Sequence, residues 1–509
     1  MNCEKYIDPF DEEVKRIARS FDAATDEDDL DKQRELIQYS LDLIPSVNSA
    51  SKAHLYYSTG TTYGEIARSQ NGSNEENLKK RLYYFRKSIA IIEADDLKDP
   101  IYSPFVNGLK MNLYTNYGNT LDQCGRKIAA IDYYKKALTI NPDFGMASGN
   151  LGSAYSHYAR LVSNNSHRDY LHHFAYNYLC DAIKSDNPNM VQKAVERYRE
   201  IVQRYDKKYQ ELFLEQPLQI QEYLYKNGKE QKYREWAVKN TLFLNPLNDL
   251  PTSDLYIAAD VIQLPPIVTP LKNRTDFHGM FNQIKQEYIF SRFQYYRSLI
   301  QLRTSHYADK DTFLIDSMDY SQYSIRLEML KSAFKTLYSL LDKIAYFINH
   351  YFELGIRDYD VSFFNIWKCE KKGKNGYKYQ SSLNPDENFS LSSLYWISKD
   401  FYERFLDSPN PQAERIKDIR NALEHRFVKI TLYDHSSNFF VEDINDTAFV
   451  LLEDELSSET LKLLKILREV IICLSITIGI EEKKRNSVRS PSEIVMPFKL
   501  PTYDDDWKR

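Results

Sequence analysis

Apolar positions recur at three- and four-residue spacing along most of the chain, the signature of amphipathic helices rather than of alternating strands. In the first half the helical stretches are short and come in pairs. One stretch, Arg34–Leu43, stops before Pro45; others surround Tyr63-Gly64, then Phe85, Ser88 and Ile89. The pattern is clearest over residues 111–144, where Tyr114, Tyr117, Gly118 and Leu121 share one helix, and Ala130, Tyr134 and Ala137 share the next. Pro142 then stops the second helix. Gly152 and Tyr155 open another pair, whose return helix is predicted late, at Ala175–Ile183. Residues 189–250 stay helical, and Pro251, Pro265, Pro266 and Pro270 interrupt the pattern. Beyond them the helices lengthen: His278–Leu302, Ile325–Leu354, Leu391–Leu406, Pro411–Val428 and Thr460–Ile480. Lys429–Leu452 contains two short strand-like runs, VKITLY and AFVLL, read as a hairpin insert.

The 34-residue unit at 111–144 resembles a tetratricopeptide repeat, with small residues where its two helices must approach and large ones filling the space between. About four such hairpins fit into residues 1–190, enough to stack into a continuous core with a concave binding face. The resulting organisation is 1–190 as a repeat array, 191–270 as bridging helices and linker, and 271–509 as a second domain. The fold class is all-α: a helical solenoid, then a helical bundle with a small β-like insert.

Composition narrows the chemistry. The chain has 509 residues, 15 of them glycine, and neither of the glycine-rich phosphate-binding patterns occurs. Its net charge of −5 excludes a uniformly basic nucleic-acid binder but leaves room for a local basic groove. Five cysteines, widely separated and without a C-x-x-C pair, argue against a zinc site or a disulfide framework. The acidic N-terminal stretch lacks an apolar signal core, and the apolar run Val470–Ile480 is too short to span a bilayer. Together these predict a cytoplasmic protein with no metal, no cofactor and no membrane contact.

One constellation carries reaction chemistry. On the Pro411–Val428 helix, Ile416, Ile419, Leu423 and Phe427 are predicted to face the bundle. Asn421 and His425 lie one turn apart on the opposite side, and Arg420 is expected to stack over Glu424. Arg420 and His425 diverge by about 140° around the helix. A permanent cation beside a titratable base suits RNA cleavage through the RNA's own 2′-hydroxyl. There a base takes the 2′-proton, an acid protonates the departing 5′-oxygen, and a cation stabilises the phosphorane. The same Arg-x4-His spacing at Arg168 to His173 falls before the late return helix and is set aside.

Arg420-Asn421-x3-His425 on the fourth long helix of a bundle resembles the HEPN superfamily over roughly residues 320–485. The resemblance implies a metal-independent endoribonuclease that dimerises through this domain, with Arg420, Asn421 and His425 in the cleft. Asp342 takes the place of an additional polar cleft residue. Fused to a repeat array, such a domain is similar to prokaryotic toxins and anti-phage effectors, in which the array reads a protein or peptide ligand. The substrate class would be RNA, tRNA or mRNA. Arg426 and the basic loop bearing Lys371, Lys372 and Lys374 are candidate phosphate contacts at the rim. The rival reading is a non-catalytic adaptor whose bundle binds nucleotide or dimerises.

Overall fold

The computed structural model describes residues 6–69, 75–162, 164–184, 190–214, 228–252, 255–269, 276–300, 306–316, 318–370, 377–380, 382–402, 404–405, 408–409, 411–432, 448–490, 494–496 and 500–508. Within them the chain is all-α: a solenoid of helical hairpins runs into a bundle of longer helices. The hairpins are α1 (Glu12–Asp26) with α2 (Leu30–Leu43), and α3 (Ser49–Ser69) with α4 (Glu75–Ile92). They continue as α5 (Ser103–Gln123) with α6 (Lys127–Ile140), and α7 (Gly145–Ala159) with α8 (Asn165–Lys184). α9 (Gln192–Leu214) and α10 (Gly228–Lys239) come next.

Helix spacing in the solenoid is set by small residues. At Gly118 of α5 an added Cβ would stand 2.6 Å from the Tyr134 ring of α6, so only glycine lets that ring lie flat on the helix. Ala130 and Ala137 are fully buried in the same interface. The predicted late return helix is corrected: α8 begins at Asn165, because the 165–174 stretch is itself amphipathic and packs along α7.

The bundle comprises α11 (Phe277–Leu299), α12 (Ile325–Tyr351), α13 (Phe389–Tyr402), α14 (Pro411–His425) and α15 (Glu453–Val488). The α12 stripe Leu327, Leu330, Phe334, Leu337, Leu341, Ile344, Phe347 and Ile348 is buried along its length. α15 is buried all round between Leu467 and Leu474, enclosed by its neighbours, with Arg468 and Glu469 the charged residues among apolar ones. It packs against α11, α12 and α13.

Three two-stranded ladders are described: β1 (Lys368–Glu370) with β2 (Tyr377–Tyr379), β3 (Arg404–Phe405) with β4 (Ser408–Pro409), and β5 (Phe427–Thr431) with β6 (Ala448–Leu452). Two expectations change here. The Leu391–Leu406 helix ends at Tyr402, and the strand-like insert is not a hairpin, since β5 and β6 run parallel with Phe427 opposite Ala448. Parallel pairing needs a long crossover, which the 16 intervening residues supply.

Solenoid and bundle share one apolar core, continuous from Ala50 on α3 to Ile478 on α15. A smaller cluster joins α1, α2 and α3. Trp367 and Trp396 sit in the main core. Gly125, at the α5–α6 turn, has φ +78°, and an added Cβ there would lie 2.0 Å from the Phe389 carbonyl of α13. A left-handed backbone and close approach both demand glycine. No described helix is long and apolar enough to cross a membrane.

Candidate functional site

α14 starts on Pro411, whose missing N–H costs nothing in the first turn. Ile416, Ile419 and Ala422 are buried and seat the helix against its neighbours, while Leu423 is only partly covered. Phe427 departs from the expected helical face. α14 stops at His425, and Phe427 opens β5 with 52% of its surface exposed. The run Phe-Val-Lys-Ile-Thr prefers an extended, half-buried setting, and Lys429, Ile430 and Thr431 are the residues it buries.

This seating turns the polar residues of the last two turns outward. Arg420 is half-buried; its Nη1 donates to Asn421 Oδ1 at 3.0 Å, and its guanidinium lies over the Tyr338 ring of α12, 5.4 Å from the centroid. The expected stacking on Glu424 is not what forms, because the aromatic face and the adjacent amide hold the guanidinium instead. Glu424, His425 and Arg426 are exposed at the end of the helix.

Asp342 stands one turn beyond Tyr338 on α12. Its Oδ1 accepts the Phe363 N–H at 3.1 Å. Burial pushes its carboxyl above the ordinary value, against the opposing pull of the Phe363 N–H and the Arg420 cation. Asp342 and Arg420 are thus electrostatic neighbours, although 78 residues separate them in sequence. α14 also bonds to α15, where the Arg415 guanidinium forks onto Glu455 beneath the Phe449 ring.

The structure therefore brings Arg420, Asn421 and Asp342 together and sets His425 one turn past Asn421 at the solvent edge. Arg426 comes next on the same edge. Lys371, Lys372 and Lys374 lie outside the described residues. Tyr338 is the site residue that sequence reasoning missed. Its signal was the four-residue step to Asp342, beside the buried Leu337–Leu341 stripe. The competing Arg168–His173 pair lies on α8. There His172 is buried against the Tyr205 hydroxyl at 2.6 Å, and the His173 ring meets Asn177 at 3.1 Å. His172 thus serves packing between α8 and α9, while His173 meets Asn177 and Phe174 of its own helix. Among the described residues no group of three His, Cys, Asp or Glu side chains could hold a metal ion.

Chemically, the end of α14 offers a fixed cation, an amide and an exposed imidazole, and α12 adds beside the cation the largely buried Asp342 carboxyl, whose pKa is raised. Residues 268–481, which include α11 to α14 and most of α15, match the LA2681-like HEPN family. A HEPN domain of that kind occupies this part of the chain. Nothing among the curated proteins or the solved structures matches the chain.

Proposed function

We propose that the protein is an endoribonuclease of the HEPN type, cutting RNA by attack of the 2′-hydroxyl without a metal ion, under the control of a tetratricopeptide-like array. The observation that carries this reading is the grouping of Arg420, Asn421 and Asp342, with His425 one turn away, at the exposed end of α14 inside the HEPN match. His425 would act as acid and base, Arg420 would stabilise the phosphorane, and Asn421 would hold Arg420 in line. Arg426 would meet a flanking phosphate.

Arg420 and His425 diverge too widely around one helix to grip both sides of a phosphodiester. Two copies facing each other across a two-fold axis would each supply both groups to a shared cleft. The reading therefore includes a homodimer through the C-terminal domain, with the solenoid binding a protein or peptide trigger in an anti-phage or toxin setting.

The test is direct. Purified full-length protein is incubated with total RNA in excess EDTA and the cut ends are mapped. Cleavage leaving 2′,3′-cyclic phosphates, lost in Arg420→Ala and in His425→Ala, supports the reading. Ends with 3′-hydroxyls, or activity that EDTA abolishes, would sink it. RNA binding without cleavage would make the protein an adaptor. Adding an Arg420→Ala/His425→Ala subunit to wild type should depress activity beyond dilution; full activity from a sedimenting monomer would remove the shared cleft.

A further inference from the structure

Between the solenoid and the bundle lies a closed group of four charges. The Asp400 carboxylate, on the last turn of α13, is forked by Arg86 of α4 at 2.8 and 2.7 Å. Arg126, at the start of α6, donates to the same carboxylate at 2.7 Å. Arg126 also reaches Glu469 of α15 at 2.8 and 3.3 Å, and Arg86 is steadied by the Tyr117 hydroxyl at 2.9 Å. None of these four side chains is more than 15% exposed. Bidentate, charge-assisted bonds of this kind are directional as well as strong, and removed from water they hold one geometry.

The same turn of α13 is held again by Glu75 of α4, which pairs with Lys399 and accepts the Tyr395 hydroxyl at 3.2 Å. At its other end α13 abuts Gly125 and the His157 ring, the latter edge-on to Phe389 at 4.7 Å. α13 is thus gripped at both ends by solenoid residues.

The residue after Asp400 carries this grip towards the site. Phe401 is buried and meets the Tyr338 ring edge-on, with centroids 6.4 Å apart at 90°. The face of Tyr338 is the surface on which the Arg420 guanidinium rests. From the solenoid arginines to the site there are three steps: carboxylate, ring, ring.

We propose that Asp400 is a positioning residue for Arg420, through which α4, α5 and α6 of the solenoid set the place of the cation at the end of α14. The inference rests on the reading of Arg420 as the group that stabilises the phosphorane, and it identifies how the array reaches that site. A ligand that flexes the α4–α6 region displaces the Phe401 ring, and with it the platform under Arg420. Such a ligand acts on turnover and leaves RNA binding in place.

The experiment measures kcat and KM for RNA cleavage by full-length Asp400→Asn and Phe401→Leu, together with amide hydrogen exchange over residues 415–426. Misplacement of a catalytic group by about 1 Å costs up to roughly a hundredfold. Both variants are expected to lower kcat by about tenfold or more with KM unchanged, and to speed exchange at the end of α14. Phe401→Leu leaves the charge cluster intact, so it decides the matter if Asp400→Asn fails to fold. Unchanged kcat together with unchanged exchange in Phe401→Leu overturns the proposal. An equal rise in exchange across all helices also overturns it, by reducing Asp400 to a structural tie. If wild-type protein does not cut RNA, the exchange arm still stands. Selective loosening of 415–426 then upholds the positioning while the catalytic reading falls.

Discussion

The solenoid and the bundle are both helical, yet they are assembled by opposite means. In the solenoid, sequence neighbours pack on each other: α3 on α4, α5 on α6, α7 on α8. Small residues such as Gly118 and Ala130 fix the spacing. In the bundle the axis is α15, and the helices around it come from as far back as residue 277. Its polar contacts reach further still, to Asp249 through Arg468 and to Arg126 through Glu469. A region built from local contacts carries its fold in a short repeat. A region built from distant contacts borrows part of its stability from the rest of the chain, and the candidate site sits in this second kind.

That contrast is broken most severely by separating the two. The prolines near residue 270 suggest independent halves, but the buried ion pairs predict otherwise. A fragment spanning 271–509 strips Asp400 of Arg86 and Arg126, Glu469 of Arg126, and Arg468 of Asp249. Cutting there also divides the apolar core that solenoid and bundle share and exposes the α13 and α15 faces to water, a loss set against a whole-domain stability of only roughly 5–15 kcal/mol. The fragment is expected to lack a cooperative thermal transition by circular dichroism. A sharp melt near that of the full chain would show the bundle to be self-sufficient.

Next in size is the site itself, where the effect should fall on activity and spare the fold. Arg420→Ala is expected to lower kcat on RNA by about 100- to 1000-fold, the usual loss for one transition-state charge stabiliser. His425→Ala should cost about 100- to 10000-fold as a lost acid–base group. His425 is exposed and Arg420 half-buried, so both variants should melt within a few degrees of wild type. Near-wild-type turnover in either would move the chemistry elsewhere.

Legibility in the sequence divides along the same line. The 111–144 hairpin was readable because Gly118, Tyr134 and Ala137 are all within one short unit, and the structure packs them together. The Arg420–His425 helix was readable because its periodicity is local, and even there the end was overrun. Phe427 fits a helical face by spacing, but β6, lying 17 residues downstream of β5, takes it into a strand. Asp342 could be suggested but not joined to Arg420, and Tyr338 escaped altogether, because neither is linked to α14 by any spacing. The Arg86–Asp400–Arg126–Glu469 cluster was invisible for the same reason: four charges spread over 383 residues look like surface until the fold buries them.

A smaller perturbation probes the solenoid's local tolerance. In Gly118→Val the new side chain must displace the Tyr134 ring, and with it the hydrogen bond from its hydroxyl to Asn119 at 2.9 Å. Overpacking a well-filled interface typically costs about 1–3 kcal/mol. A lower urea midpoint is expected, with exchange quickening in α5 and α6 before α15. Uniform quickening across the chain would show that the shared core couples the two regions more tightly than the local pairing suggests.

The smallest effect is an acid sensitivity that belongs to the solenoid. His54 of α3 packs between Phe10 and Tyr57, with ring centroids 5.1 and 6.3 Å away, and its Nδ1 has no hydrogen-bond partner. His157 of α7 lies against Phe389, with its Nε2 likewise unbonded. Burial pushes both imidazoles down from 6.5 to about 4, for His54 against the opposing field of Asp8. Both are therefore neutral in the folded chain at pH 6, where the unfolded chain has begun to take up protons. Each contributes stability that is full above pH 6.5, declines as the pH falls through that window, and is gone near pH 4. Allowing for partial solvent access, the loss should be about 1–2 kcal/mol per histidine. The melting temperature of wild type should drop between pH 7 and pH 5. His54→Phe keeps the ring contacts and removes the proton site, so it should lose less over the same interval. An identical drop in the variant would place the acid-sensitive group outside α3 and leave His157 of α7 as the solenoid's contributor.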